Sequence, residues 1–454
     1  MRDRTVDAPV HRAPTERSSG TDEGVRPPTT DEGVRPPTTD EGVRPPTHIL
    51  LFCQYFPPEM GAPAARAYEF ARRWVRMGHR VTVVCGIPNH PTGVVYDGYE
   101  RRLLHTERIE GIDVVRTWVY VTPNAGVLRR SINYISYAVS ALAAAQCARD
   151  AHICIATSPQ FLAGVAGALF ARAARIPFLL EVRDLWPDSI KAVEATGSRL
   201  LLGILQRIER ALYHAARRIV VVSPAFRSHI AATGIDPERI DLITNGIDTT
   251  LAVRGPRPRT HFTGDLASAF IVLYAGTHGM AHALDTLVDA ARLLADDPAI
   301  RFVFVGEGAD KRRVQQYAAD CANVTFIDRK PRSVIAEMIA EADACVVPLK
   351  RTPLFRTVIP SKMFEIMGAA RPIILGVEGT ARDLLDEADA GIAVEPQNAA
   401  ALAEAIRKLR DDPALRDRYG DNGFRHVREM YDLDTLALRY LDIIRDVVER
   451  PTIP

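Results

Sequence analysis

Lys362 and Glu365 stand three residues apart in PSKMFEIMGAARPII (residues 360–374), between the apolar runs DACVVPL and RPIIL. At that spacing on a helix the two side chains share one face, and Ser361 is placed as the N-cap. Two chemistries suit the pair. One is a surface ion pair worth about 0.2–0.5 kcal/mol. The other is a polar grip, in which a carboxylate accepts two hydrogen bonds from a vicinal diol while a lysine meets an anion. With Ser361 as N-cap the capping-box position falls on Phe364, so Glu365 has no capping duty in its own helix.

Other residues with chemical potential follow strand-like runs. LYAGTHG places Gly276 and Gly279 after a strand, and VFVGEG places Gly306 and Gly308 after another. Such glycines let backbone approach a nucleotide closely, or simply make a tight turn. Asp184 follows PFLLEV, where a carboxylate can orient or deprotonate a hydroxyl, or serve as a structural partner of Arg183. Ser158 before Pro159 reads as a helix N-cap with proline at N1. Asp432 and Asp434 resemble a metal-binding carboxylate pair, but Asp434 before an apolar periodic stretch reads as an N-cap. There is no G-x-G-x-x-G and no G-x-x-x-x-G-K-[ST], which argues against nicotinamide or flavin chemistry and against a P-loop NTPase.

The elements that must position these residues alternate regularly from His48. HILLFC reads as a buried strand. A proline- and glycine-rich loop follows it, then a helix carrying Ala67, Phe70, Ala71, Trp74 and Val75 at helical spacing. Gly78 supplies the stop and HRVTVVC the next strand, a β-α-β unit that implies a parallel sheet. HICIATS, PFLLEV and RIVVVS continue the pattern, RGPRPRT (Arg254–Thr260) reads as a linker, and FIVLYAG, RFVFVGEG, NVTFI, DACVVPL and RPIIL restart it. The expected fold is α/β, with two Rossmann-like parallel-sheet domains facing a cleft and ligands at the carboxyl ends of the strands. The expected bounds are a tail over 1–46, domains over 47–253 and 254–430, and a C-terminal helix over 431–454 that crosses back to the N-terminal domain. The tail contains TDEGVRPPT three times in tandem (Thr21–Thr47), too little apolar surface to offset chain entropy, and reads as disordered.

Composition narrows the classes further. The chain has 454 residues, 47% of them apolar, with a formal net charge of +1, which gives no sign of a nucleic-acid partner. Six cysteines lie scattered without C-x-x-C or other ligand spacing, suiting a reducing cytoplasm and predicting no metal site. No apolar run of about 18 residues predicts a membrane span.

From His48 onward the chain resembles the family 4 glycosyltransferases of GT-B architecture. GAPAARAYEFARRWVRMGHRVTVV, VVSPAFRSHI, ITNGID, VGEG and PSKMFEIMGAARPII carry the resemblance in order across both domains. PNHPTGVVYDGYE and EVRDLWPDS are similar to L-fucosaminyltransferase-like enzymes of bacterial O-antigen and capsule synthesis. The resemblance implies retaining transfer of a sugar from a nucleoside-diphosphate sugar to an acceptor hydroxyl, with no metal or other cofactor and with the donor in the C-terminal domain. Glu365 matches the second glutamate of the E-x7-E motif, the ribose ligand. The first glutamate is replaced by Thr357. The phosphate-binding Arg and Lys expected after Gly279 are replaced by Met280, Ala281, His282 and Ala283, so the role passes to Lys362, Arg356 or Lys350. Arg356 reads equally as a solvated surface charge. The implied donor site comprises Glu365, Lys362, Ser361, Arg356, Gly276, Gly306 and Gly308. Asp184 and Lys362 are the implied catalytic groups, and Gly61, Arg66 and His90 bind acceptor.

Surface polysaccharides are generally built on lipid carriers, so the resemblance points to a lipid-linked or oligosaccharide acceptor and a cytoplasmic enzyme in peripheral contact with the membrane. LRRSINYISYAVSALAAA (Leu128–Ala145) suits either a membrane-surface helix or a core helix. A nucleotide-sugar 2-epimerase of the same architecture is the alternative enzyme, and a non-catalytic nucleotide-sugar-binding scaffold the alternative outside catalysis.

Overall fold

Runs such as HILLF and IRFVFV lack the alternation of half-exposed strands and are buried almost throughout, as strands covered on both faces are. In the computed structural model, which describes residues 46–449 apart from 60, 91, 101, 123–126, 159, 186–198, 251 and 256–257, they assemble into two sheets. The first contains β1 (His48–Phe52), β2 (Arg80–Gly86), β3 (Leu104–Ile109), β4 (Ile112–Thr117), β5 (Ile153–Thr157), β6 (Phe178–Val182), β7 (Arg218–Val221) and β8 (Ile240–Leu242). Their order is β3-β4-β2-β1-β5-β6-β7-β8, parallel except for the β3–β4 hairpin. The second contains β9 (Phe270–Ala275), β10 (Ile300–Val305), β11 (Val324–Ile327), β12 (Ala344–Pro348), β13 (Ile373–Gly376) and β14 (Gly391–Ala393). Its order is β11-β10-β9-β12-β13-β14, parallel throughout. These are two Rossmann-like parallel-sheet domains across a cleft, the architecture that the alternation of strands and helices predicts.

Helices cover both sheets: α1 (Ala62–Arg76), α2 (Val127–Ala144), α3 (Phe161–Ala174), α4 (Arg199–Ala215) and α5 (Pro224–Ala231) on the first. On the second are α6 (Asp285–Leu293), α7 (Lys311–Tyr317), α8 (Arg332–Glu341), α9 (Lys362–Gly368), α10 (Thr380–Ala388), α11 (Ala399–Asp411) and α12 (Pro413–Met430). The last helix, α13 (Leu433–Glu449), buries Leu436, Tyr440 and Ile444 in the core of the first domain, with Tyr440 edge-on to Trp74 of α1 at 5.1 Å. The chain therefore passes between domains twice. The two passages meet where Ile247 N–H donates to Tyr431 O at 3.0 Å and Leu433 N–H to Ile247 O at 3.0 Å. A third tie between the domains runs from Ser223 Oγ to Thr357 O at 2.7 Å.

Three capping expectations need correction. The cap of α13 is Asp432, whose Oδ2 accepts from the N–H groups of Asp434 and Thr435 (3.0 and 3.3 Å). Asp434 lies inside the first turn and turns to Arg73 Nε at 2.6 Å. Ser158 does not cap α3, which begins two residues beyond Pro159. Its Oγ accepts instead from Arg183 N–H at 2.9 Å, linking the ends of β5 and β6. Ser361 occupies the N-cap position of α9, but its side chain makes no capping bond, because its backbone is already helical (φ −58°, ψ −27°). The turn opens instead through Met363 N–H to Pro360 O at 3.0 Å. The segment expected as a linker is fastened to the second domain, where Arg259 donates to Ala267 O at 3.0 Å and pairs with Asp343. The expected disorder of the repeats falls outside the described residues.

Candidate active site

A cavity of about 480 Å³ opens between the domains, lined by segments that follow strand carboxyl ends. Pro57, Pro58, Glu59 and Gly61 follow β1, Asn245 and Gly246 follow β8, Arg329, Lys330 and Arg332 follow β11, and Ser361 and Glu365 open α9 after β12. Of the residues expected from sequence, the cavity brings together Glu365, Ser361, Gly61 and Arg66.

The Lys362–Glu365 ion pair does not form. Glu365 Oε1 accepts instead from Arg332 at 3.2 Å, an exposed pair at the cleft wall. Lys362 turns inward. Its Nζ is buried without a hydrogen-bond partner, 4.3 Å from the centroid of the Tyr274 ring. It also lies 2.8 Å from where a Cβ on Gly276 would stand, so the missing side chain there makes room for the ammonium. Burial pushes the Lys362 ammonium down to about 8, with the Glu365 charge acting weakly the other way.

The glycine loops pack on one another. Gly276 and Gly306 hold φ of +145° and +141°, and a Cβ on Gly306 would overlap the Gly276 carbonyl. A Cβ on Gly308 would overlap the His278 carbonyl. In this loop the family's cations are absent, and what stands there is imidazole. His278 is fully buried with neither ring nitrogen partnered. Burial pushes both His278 and His282 down to about 4, so each is neutral near pH 7, and the neighbouring Lys362 reinforces this. Lys350 lines a separate cavity of about 270 Å³ beside Met280 and Arg313. Arg356 is 65% exposed, 4.0 Å from Glu378. Neither contributes to the described lining of the cleft.

On the first domain, Arg66 lines the cleft with its guanidinium held by the protein itself. Nε and Nη2 donate to Glu181 (3.2 and 3.4 Å), Nη2 also to Ile243 O (2.8 Å), and Nη1 to Thr244 O (2.6 Å) and Asn245 Oδ1 (3.3 Å). All five guanidinium N–H groups are engaged, so Arg66 ties α1 to the segment after β8. Burial acts to raise the Glu181 carboxyl, but Arg66 and Arg183 outweigh it and hold the group below its usual range. Asp184 lines a crevice of about 20 Å³ with Ser158, Leu180 and Tyr213, apart from the cleft's described lining. His90 lies in a polar recess with Arg130 and Asn133, its ring 4.7 Å from that of Tyr55. Gly61 opens α1 at the cleft without a side-chain cap.

Sequence reasoning passed over two features of this cleft. Arg329, Lys330 and Arg332 supply its positive wall, and the strand-end rule applied to NVTFIDRKPR would have found them. Glu59 lines the opposite wall, 3% exposed, its carboxyl pushed up to about 7 by burial. No local pattern signals that burial. Among the described residues there is no group of three His, Cys, Asp or Glu side chains arranged to hold a metal ion.

Residues 61–246 match the model of the Glycosyl transferase 4-like domain, and residues 262–426 that of the Glycosyl transferases group 1. A colanic acid biosynthesis glycosyl transferase, WcaI, of Escherichia coli is 23% identical over 421 residues, covering 87% of this chain and 99% of its own. Sucrose-phosphate synthase from Thermosynechococcus elongatus superposes with a TM-score of 0.70 at 19% identity, over 88% of this chain and 99% of that one. The Anabaena protein HepE in complex with UDP gives 0.65 at 17%, over 88% and 100%. With both domain models matched in order and the cleft between them, the chain belongs to the GT-B glycosyltransferases, enzymes that use a nucleotide-sugar donor.

Proposed function

We propose that this glycosyltransferase moves a sugar from a nucleoside diphosphate to an acceptor hydroxyl with retained anomeric configuration and no required metal, in building a cell-surface polysaccharide. The observation that carries the reading is the cavity that sets Glu365 of the second domain opposite Gly61 and Glu59 of the first. Glu365 accepts from the ribose diol, in place of or beside its exposed Arg332 partner. Lys362, unpartnered behind Gly276, is the counter-charge for the departing diphosphate. The anomeric C–O bond to phosphate breaks, the acceptor oxygen takes its place on the same face, and its proton passes to the leaving phosphate.

The name of WcaI, matched over nearly its full length, supports polysaccharide synthesis, and the finer likeness to L-fucosaminyltransferase-like enzymes belongs to the same reading. A lipid-linked acceptor fits the surface of α2. There Arg129 and Arg130 are exposed beside Ile132, Ile135 and Val139 (40%, 53% and 65% exposed), while Tyr137 and Ala141 fill the core. Among the described residues no helix is long and apolar enough to cross a membrane.

A thermal-shift panel of UDP-, GDP-, dTDP- and ADP-sugars tests the donor. Binding at 100 times the dissociation constant adds about 2.7 kcal/mol. NMR of the product made with the stabilising donor, with and without EDTA, then reads configuration and metal need. An inverted product or full loss of turnover in EDTA would refute those two claims. An epimerised nucleotide sugar formed without acceptor would identify an epimerase instead.

A further inference from the structure

Glu59 is a buried carboxyl with one oxygen saturated and the other unmatched. Oε1 accepts from the backbone N–H groups of both Asn89 and His90 at 2.9 Å, pinning the loop after β1 to the loop after β2. Oε2 is buried and has no hydrogen-bond partner. The Phe56 amide also favours the charged carboxylate but makes no hydrogen bond to Oε2. A buried acceptor atom left unmatched is costly, and native structures seldom keep one without a use. A strut between two loops would need only Oε1. The residue also lines the cavity, on the wall that Gly61 opens and across from Glu365.

We propose that Glu59 is an acceptor-binding residue, its Oε2 holding a hydroxyl of the sugar or polyol acceptor while Oε1 stays fixed on the Asn89–His90 amides. This rests on the reading of the cleft as the place of transfer to a hydroxyl. The ligand must carry an O–H. A sugar hydroxyl both donates and accepts, so it can pair with the carboxyl in either protonation state, whereas a phosphate oxygen would be repelled by the ionised form. Glu59 stands on the first domain, and on the same reading Glu365 of the second domain takes the ribose, so the hydroxyl left to Glu59 is the acceptor's.

The test uses the full chain, the nucleotide sugar that stabilises it, and a panel of methyl glycosides and glycerol as acceptor hydroxyls. Glu59→Gln preserves an Oε1 for the two amides, and Glu59→Asp keeps the acid but falls one methylene short. Both variants should raise the KM of the acceptor that wild type uses about tenfold or more, with nucleoside diphosphate affinity by calorimetry within twofold of wild type and melting within a few degrees. Unchanged acceptor KM in Glu59→Gln would overturn the assignment, leaving Glu59 as a strut. So would nucleotide affinity falling in parallel, or a wild type that only hydrolyses donor in every arm. A wild type that turns over no nucleotide sugar at all would remove the transfer reading itself, a different failure.

Discussion

Lys362 Nζ faces the Tyr274 ring at 4.3 Å and has no hydrogen-bond partner, while Glu365, one turn along the same helix, reaches the cleft. A ring face attracts a cation by about 0.5–2 kcal/mol, too little to replace the hydration an ammonium loses on burial. The two residues thus do different work, one as a held charge behind a loop and the other as an open carboxylate.

Because burial lowers Lys362 to about 8, a diphosphate arriving beside it should draw a proton onto the lysine. Calorimetry of nucleoside diphosphate binding near pH 9, in buffers of different ionisation enthalpy, should show proton uptake by wild type and none by Lys362→Met, which also binds more weakly. The stability sign follows from the same shift. Between about pH 8 and 10.5 the unfolded chain binds the extra proton, so this residue makes stability rise with pH, and the Met variant lacks that rise. Equal uptake in both proteins would place the titrating group elsewhere.

Glu365→Gln keeps the shape of the side chain and replaces one acceptor oxygen by a donor. Loss of a charge-assisted hydrogen bond to the ribose costs about 1.5–3 kcal/mol, or about 10- to 150-fold in nucleotide affinity. A 2′,3′-dideoxy nucleoside diphosphate should bind both proteins alike, whereas Lys362→Met weakens both nucleotides. Stability should move by less than about 0.5 kcal/mol, since the Arg332 pair lost is exposed. Parallel weakening of both nucleotides by Glu365→Gln would refute the ribose contact.

Glu59 makes an acid-side prediction of opposite sign. With the folded carboxyl near 7 and the free value near 4.5, the folded state holds more protons in that window. Its contribution to stability therefore declines as pH rises from about 4.5 to 7, by up to about 3 kcal/mol, and is flat above. Denaturant melts of wild type and Glu59→Gln at pH 5 and pH 7.5 read this directly, the variant gaining on wild type at the higher pH. The Asn89, His90 and Phe56 amides, and Arg116 after them, work against the shift, and a difference that does not change with pH would show that they prevail.

Gly306→Ala asks whether the glycine loops are structural. The new Cβ meets the Gly276 carbonyl at a φ of +141°. A loss of about 2 kcal/mol or more and a lower melting temperature are expected, without any nucleotide present. A fully stable variant that binds nucleotide poorly would show that the glycine serves ligand approach alone.

For the membrane contact, flotation with anionic vesicles at low salt should recover wild type, and Arg129→Glu with Arg130→Glu should stay behind. Val139→Ser, at a position of α2 that is 65% exposed, should weaken binding without loss of fold. Equal recovery of all three proteins would sink the lipid-surface reading.

The two-sheet architecture was legible from sequence because apolar periodicity and turn residues act over neighbouring positions, and the approach of Glu365 to a cleft because parallel strands present their carboxyl ends there. What the chain does beyond that depended on partners far away. Asp434 lost the cap to Asp432 once Arg73 could reach it, and the Arg66 guanidinium at the cleft is held by backbone carbonyls at Ile243 and Thr244. Lys362 and Glu365 look equivalent on a helical wheel. Only the space left by Gly276 over Tyr274 decided that one would be buried and the other exposed. Side-chain direction and burial follow from which segments pack together, and that packing is settled when the two sheets and their loops close on one another.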